Sequence, residues 1–143
     1  MKLALTTLFF FLLCLVRLHE NKMDLICQKW RQVGIKDFGK DYKSIDKSMT
    51  EVIIFKKDGA YDEELYGSLQ IKGQWKFSMD SLKLSLVLTE MNGKTLAGTS
   101  FDDSKPIDSI IKLTRDTLIY GALVYFGEQK IYGHDDWYFV REK

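Results

Sequence analysis

Two neighbouring segments of the 143-residue chain alternate apolar and polar residues, and this pattern limits the folds that the chain can adopt. Every second residue is apolar in residues 69–77 and again in residues 82–88. Because successive side chains of a β-strand point to opposite faces, this period of two predicts two strands, each with one buried and one solvated face. The segments therefore predict an antiparallel sheet that covers a core on one side only.

Short turn motifs divide most of the remaining chain into further β-prone runs. Asp58-Gly59 and Asn92-Gly93 each stand between such runs, and both dipeptides favour two-residue hairpins. A long polar loop is predicted for residues 34–49, and a turn for residues 133–136. The predicted strands are residues 25–33, 51–57, 60–66, 69–77, 81–90, 94–101, 107–113, 117–126 and 137–141.

The spacing of these strands predicts an all-β domain. No segment after the first 23 residues repeats apolar residues with helical spacing over three turns. Most connections are of hairpin length, and only residues 34–49 are long enough for the crossing connection of a Greek-key sandwich. We therefore expect residues 24–143 to form an up-and-down antiparallel β-barrel of about eight strands, with a sandwich as the alternative.

The first 23 residues predict an export leader. Lys2 precedes an apolar run over residues 3–16, which is shorter than the roughly 20 residues that cross a bilayer as a helix. We expect export to the periplasm or cell envelope, with membrane contact only through this leader or a lipid anchor. Residues 15–20 offer no small residue for cleavage, so an uncleaved tether is an alternative, as is a translation start at Met23.

The two cysteines belong to different parts of the chain. Cys14 falls at the apolar run, where a bacterial lipoprotein leader carries its acylated cysteine, although Leu13 replaces the small residue expected before it. Cys14 is therefore a candidate lipidation site, with an ordinary apolar leader residue as the alternative. Loss of the leader leaves Cys27 without a disulfide partner, and we expect it to be a small buried apolar group.

Charge and motif content argue against several functions. The 21 Lys and Arg residues balance 20 Asp and Glu residues, and loss of Lys2 and Arg17 with the leader would change the formal charge from +1 to −1, so no nucleic-acid-binding face is predicted. His134-Asp-Asp136 lacks the further ligands of a metal site. Glu63-Glu64 is interpreted as exposed strand-end charge, and the alternative is acid–base chemistry by two carboxylates in a cleft whose pKa values burial separates. We predict no enzymatic activity, no cofactor and no metal; a hydrolase or isomerase built on His134 is the weakest alternative.

Several short motifs occur in a fixed order between residues 25 and 141. They are Trp30 in the first strand, Phe55-Lys-Lys-Asp-Gly-Ala-Tyr61, Gly73-Gln-Trp75 before Leu82-Lys-Leu84, Ile111-Lys-Leu-Thr-Arg-Asp-Thr-Leu118 and Tyr138-Phe-Val-Arg141. Together they resemble the bacterial lipocalin-like domain family. The resemblance implies a small exported calycin-type β-barrel, often a lipoprotein, without an activity common to its members. It also implies that Arg141 of the last strand packs on the Trp30 indole and closes the barrel.

The interior of such a barrel is either filled by its own side chains or open to one small ligand. The predicted ligand cavity is lined by Trp75, Phe77, Leu84, Leu86, Tyr120 and Ala122. Tyr61, Tyr66 and Tyr120 are interpreted as hydroxyl anchors for a ligand or as cross-strand aromatics. The expected function is binding of a small hydrophobic or amphipathic molecule. The alternative is a non-enzymatic cell-envelope module with a filled interior and a protein partner.

Overall fold

The computed structural model describes residues 21–37, 40–97, 107–126 and 131–143, with backbone alone at residues 107, 108, 122–126 and 131–134. Residues 1–20 of the predicted leader, Cys14 included, and the end of the strand predicted at residues 94–101 lie outside these ranges. A short helix, α1 (Lys22–Ile26), precedes the strands, and a 3₁₀ helix (Lys47–Met49) follows the second strand. The strands are β1 (Lys29–Lys36), β2 (Lys43–Ser44), β3 (Glu51–Phe55), β4 (Ala60–Leu65), β5 (Leu69–Phe77), β6 (Lys83–Met91), β7 (Lys94–Thr95), β8 (Ile107–Leu113), β9 (Thr117–Phe126) and β10 (Ile131–Arg141).

Eight of the described strands form a closed ring. Their hydrogen-bonded order is β1, β3, β4, β5, β6, β8, β9 and β10, and β10 pairs again with β1. The two-residue strands β2 and β7 extend the sheet beside β1 and β6. Each pair is antiparallel, and ring strands that follow one another along the chain are neighbours. The prediction of an all-β antiparallel sheet is confirmed.

The predicted tight turns are confirmed by their backbone conformation. Gly59 joins β3 to β4 with a φ of 85°, and the Asp58 carboxylate accepts the Ala60 N–H at 3.0 Å. Asn92 and Gly93 join β6 to β7 with φ values of 48° and 76°. A two-residue hairpin of type I′ needs positive φ at both central residues. Asn92-Gly93 meets this requirement, whereas in Asp58-Gly59 only the glycine has positive φ.

Strands β5 and β6 show the alternation that predicted them. Ile71 and Trp75 are each 5% exposed, whereas the polar residues between them lie on the outer face. Across the pair, Trp75 lies opposite Leu86. The prediction that Leu82 belongs to this buried face is wrong. It precedes β6 and is 55% exposed, because the chain turns at Ser81, with a φ of 54°, before the strand begins.

Other predicted boundaries differ from the structure. Residues 25 and 26 belong to α1 rather than to the first strand, because the Asn21 side chain accepts the Met23 N–H and caps the helix. Residues 133–136 continue β10 instead of turning, since each has a partner on the ten-residue strand β9. Residues 34–36, predicted as loop, extend β1 and pair with β10. At residues 34–36 and 133–136, cross-strand pairing outweighs local turn preference.

The core lies on the inner face of the ring. Its fully buried side chains come from α1 and six of the ring strands, namely Ile26, Trp30, Ile53, Phe55, Tyr61, Leu84, Leu118, Tyr120 and Phe139. The Phe55 N–H donates to the Gln28 carbonyl, so α1, the start of β1 and the end of β3 share one end of the ring. We call this the α1 end, and the opposite half of the interior, where β3 begins and β4 ends, the acidic half.

Candidate functional site

The inner face of β3 and β4 carries acidic residues among buried apolar ones. In β4, Tyr61 is 1% exposed and belongs to the core, so strand alternation places Glu63 on the same face. The register agrees, because Glu63 lies opposite Ile53 on one side and opposite Ile71 on the other. Ile53 is fully buried and Ile71 is 5% exposed. Directly opposed residues of antiparallel strands share a face, so Glu63 faces the interior.

The environment of Glu63 changes its ionisation. Its half-buried carboxyl group stands between two isoleucines, and burial raises its pKa from 4.5 to about 7. Within the described ranges no hydrogen bond or ion pair to this carboxyl group is present. A buried carboxylate without a cation is costly, so the group takes up a proton more readily than an exposed glutamate. Near neutral pH it exists in both forms.

Tyr61 brings a second polar group to the same face. Its hydroxyl oxygen is buried and has no hydrogen-bond partner in the described part of the chain. The ring lies against Gly73 of β5, where a Cβ would collide with it and with the Val87 carbonyl. Burial raises the pKa of the Tyr61 phenol, and the charges of Glu63 and Glu51 raise it further. The phenol is therefore neutral, close to both carboxyl groups, and able to donate or accept a hydrogen bond.

A contact across the ring completes this group of polar side chains. The Tyr120 hydroxyl of β9 donates to Glu51 Oε1 of β3 over 3.3 Å. The Tyr120 ring is stacked on Phe139 with centroids 5.1 Å apart and meets Trp137 edge-on at 5.3 Å, which fixes its direction. We call Glu51, Tyr61, Glu63 and Tyr120 the interior polar cluster. It contains two carboxyl groups and two phenols on the inner face of three strands.

The α1 end has a different composition. Trp30 and Ile26 are fully buried, and the Trp30 indole N–H donates to the Ile26 carbonyl at 2.8 Å. Trp75 contacts the rings of Phe55 and Phe77 edge-on, with both centroid separations 5.4 Å. Its own indole N–H is satisfied by the Lys56 carbonyl at 3.0 Å. Both indole N–H groups at this end therefore have partners. Tyr61, which lies opposite Phe55 with ring centroids 6.3 Å apart, connects this end to the acidic half.

Most of the residues predicted to line a cavity belong to the packed core, and one belongs to the interior polar cluster. Trp75, Leu84 and Leu86 are at most 7% exposed and belong to the packed core, with the partly buried Phe77 against it. Tyr120 instead belongs to the interior polar cluster through its hydroxyl group. For Ala122 the backbone places it opposite Asp135 on β10. The cavity prediction thus combined side chains of the packed end with one side chain of the polar cluster.

Sequence reasoning missed the role of Glu63, and the interpretation of Glu63-Glu64 as exposed strand-end charge is wrong for the first of the two. Glu64 does lie outside, where it accepts a hydrogen bond from Gln70 at 2.9 Å. The alternation of residues in β4 could have identified Glu63, because Tyr61, Glu63 and Leu65 lie on one face of the strand. Tyr66, proposed as a hydroxyl anchor, is in the turn after β4 and 58% exposed.

The register places the predicted closing pair side by side. Trp30 of β1 lies directly opposite Arg141 of β10 where the two strands meet. Arg141 is exposed and lines a groove of about 450 Å³ together with Asp24, Cys27 and Arg115. Stacking of the Arg141 guanidinium on the Trp30 indole stays a prediction. Cys27 is half-buried, and burial raises the pKa of its thiol, which disfavours the reactive thiolate.

The outer surface carries a second groove, of about 300 Å³, over β1, β3 and β4. Glu142 forms ion pairs with Lys29 and Arg31 at its edge. In the described part of the chain, no three His, Cys, Asp or Glu residues are grouped so as to hold a metal ion. His134 lies within β10, and its backbone is opposite Leu123. Nor does any helix of the described ranges have the length and apolarity needed to cross a membrane.

Comparison of the chain with protein-family models found no match, and a search among curated proteins found none either.

Proposed function

We propose that this protein is an exported lipocalin-like β-barrel that binds a small amphipathic molecule in its interior. The observation that carries this proposal is the interior polar cluster, which lies on the inner face of the ring beyond a packed apolar end. A core that serves only to stabilise a fold satisfies its buried polar groups. Here the Tyr61 hydroxyl has no partner in the described part of the chain, and Glu63 stands between Ile53 and Ile71.

The cost of these groups supports a ligand. A buried donor or acceptor without a partner destabilises a protein by about 1–3 kcal/mol. A ligand with one polar group would supply the missing hydrogen bonds to Tyr61 and Glu63, and its apolar part would contact the surrounding side chains. Binding sites commonly combine an apolar lining with a few convergent polar groups, which is the composition of this half of the interior.

Export is the second element of the proposal. Lys2 and the apolar run over residues 3–16 have the composition of an export leader, and Cys14 is the candidate for a lipid anchor. The ordered motifs that resemble lipocalin-like domains support the same assignment, because members of that family are exported. A mass measurement on the membrane and soluble envelope fractions tests both points, since cleavage and acylation change the mass in different directions.

Ligand binding is tested with the neutral fluorophore N-phenyl-1-naphthylamine. We expect saturable fluorescence enhancement, displaced by long-chain alcohols and lost in Leu65→Trp, which adds bulk to the inner face next to Glu63. Lys76→Trp adds the same indole to the outer face of β5 and should bind the probe as the unmodified protein does. Absence of saturable enhancement in the unmodified protein would reject the proposal.

The second candidate is a cell-envelope interaction module with a filled barrel. The packing of Trp30, Phe55 and Trp75 favours it, because these side chains leave the α1 end closed. On this alternative the outer face binds another envelope protein. It requires that neither the probe nor the alcohols bind, and that substitutions at Glu63 leave the interaction with the partner protein unchanged.

A further inference from the structure

We infer that the interior polar cluster binds the ammonium group of a small amphipathic amine, with Glu63 as its counter-ion. This inference rests on the proposed ligand-binding function and names the chemical class of the ligand. It stands on two independent observations: the inward position of Glu63 between Ile53 and Ile71, and the unpartnered Tyr61 hydroxyl on the same face.

The donors and acceptors of the cluster match an ammonium group. Such a group carries three N–H donors and no acceptor. The Tyr61 oxygen is an acceptor without a hydrogen bond within the described ranges, and the Glu63 carboxylate is an acceptor that stands between two isoleucines. Tyr61 is 1% exposed, so its oxygen is shielded from bulk solvent. A charge-assisted hydrogen bond from the ammonium to Glu63 would be the strongest contact of the complex.

Electrostatics exclude the opposite charge on the ligand. Glu51 of β3 is diagonal to Glu63 of β4 on the inner face, since Glu51 lies opposite Leu65 and Ile53 opposite Glu63. The Tyr61 phenol experiences the negative charge of both glutamates. An anionic headgroup would add a third negative charge to this half of the interior, whereas a cation lowers the cost of the carboxylates already present.

A metal ion fits the cluster less well than an amine. Calcium takes six to eight oxygen ligands and magnesium requires a near-ideal octahedron. The described residues contain no group of three or more acidic or other metal-ligating side chains. The Glu63 carboxyl group instead stands between Ile53 and Ile71, and the partly buried Leu65 and Leu69 lie opposite one another just beyond it. These apolar side chains suit the hydrocarbon part of an amine.

The test compares three probes of equal chain length by titration calorimetry: octylamine, 1-octanol and octanoate. The protein is used as the cell produces it, after its mass has been measured. At pH 8 we expect octylamine to bind at least tenfold more tightly than octanol, and octanoate more weakly than both. Glu63→Gln should remove the preference for octylamine, so that the variant binds octylamine no more tightly than octanol.

Matched variants separate a binding role from a general charge effect. Glu64→Gln removes a charge one residue away on the outer face, and it should keep the preference for octylamine. Tyr61→Phe should weaken octylamine binding while the free protein becomes more stable, because the variant deletes an unpartnered hydroxyl group. A purely structural role for Tyr61 would change stability without changing this preference.

The dependence on pH provides a further readout. Glu63 must be ionised to act as counter-ion, and burial raises its pKa to about 7. The titratable groups that face it are Glu51 of β3, Tyr61 of its own strand and Tyr120 of β9. Octylamine stays protonated between pH 5 and 8, so its affinity should fall as the pH is lowered through 7. This fall should be absent in Glu63→Gln.

The possible results distinguish the two proposals. Equal binding of octylamine and octanol, or equal effects of Glu63→Gln and Glu64→Gln, would overturn the amine inference and leave ligand binding in place. Failure of every probe, including N-phenyl-1-naphthylamine, to bind the unmodified protein would overturn the proposed function itself. Tighter binding of octanoate than of octylamine at pH 8 would also reject the amine inference.

Discussion

The two halves of the ring interior are built from the same strands but have opposite chemistry. At the α1 end, Trp30 and Phe55 are buried and the indole N–H groups have carbonyl partners. In the acidic half, β3 presents Glu51 and β4 presents Glu63, four and two residues from the buried aromatic side chain of each strand. The first half therefore provides stability, whereas the buried polar groups of the second half lower it.

Truncation at the α1 end should give the largest effect. Trp30→Ala removes a fully buried indole and its hydrogen bond to Ile26, and we expect a loss of about 3–5 kcal/mol in the free energy of unfolding. Leu65→Ala, in the acidic half, deletes a partly buried side chain and should cost much less. Urea unfolding measures both. Equal losses would contradict the difference between the two halves.

Replacement of Glu63 should have the opposite sign. In the unfolded chain its pKa is near 4.5, and in the folded protein it is about 7, so the folded state holds the extra proton between these values. Stability is then lost as the pH rises from 4.5 to 7 and stays low above 7, by up to about 3 kcal/mol. Glu63→Gln should raise the stability at pH 8 and remove this dependence.

Urea unfolding between pH 4.5 and 8 checks the prediction for Glu63. Glu64→Gln is the control, because this carboxylate lies on the outer face and accepts a hydrogen bond from Gln70. Destabilisation by Glu63→Gln at pH 8 would show that the carboxylate has a stabilising partner, and the acidic half would then be an ordinary satisfied core.

Gly73 tests how closely the strands approach Tyr61. A Cβ at this position would collide with the Tyr61 ring and with the Val87 carbonyl, and a backbone carbonyl cannot move aside easily. We expect Gly73→Ala to lower the free energy of unfolding by about 1–3 kcal/mol. Gln74→Ala, on the outer face of the same strand, should have little effect. A neutral result for Gly73→Ala would mean that Tyr61 can shift and that its position does not define the cluster.

The helix cap should give the smallest effect. Asn21 accepts the Met23 N–H at 3.0 Å and begins α1, so Asn21→Ala should cost about 1 kcal/mol. Asp46 caps the 3₁₀ helix before β3 through Ser48 at 2.8 Å and serves as the comparison. The rate of amide hydrogen exchange around Ile26 and Trp30 should rise in Asn21→Ala and should not change in Asp46→Ala. Increased exchange in the acidic half after Asn21→Ala would show that the two halves are not independent.

Much of the sheet was predictable because its signals are local. The period of two in β5 and the positive-φ turns at Gly59 and at Asn92-Gly93 depend on a few adjacent residues. The helix α1 was missed because its five residues are too few for a helical period. Strand β10 was shortened in the prediction because Gly133 and the acidic residues after it favour turns, while the pairing with β9 that overrides them is not visible in sequence.

The site was harder to predict than the sheet. An acidic run is formed by Asp62, Glu63 and Glu64, and such a run in a sequence usually indicates a solvent-exposed segment. Glu63 differs from Asp62 and Glu64 only in that it alternates in step with Tyr61 and Leu65, which places it on their face of the strand. That alternation indicates burial only once β4 is known to cover a core. The partner of Tyr120 is 69 residues away, a distance at which sequence patterns carry no pairing information.

The pairing of β1 with β10 has a consequence for the order in which the protein is made. Each other neighbouring pair in the ring joins strands that follow one another in sequence. Trp30 of β1 instead pairs with Arg141 of β10, near the other end of the chain. During synthesis from the N-terminus, one edge of β1 therefore stays unpaired until nearly the whole chain has emerged, and such an edge can pair with another nascent chain. A ribosome that stalls before residue 131 would release an open sheet prone to aggregation.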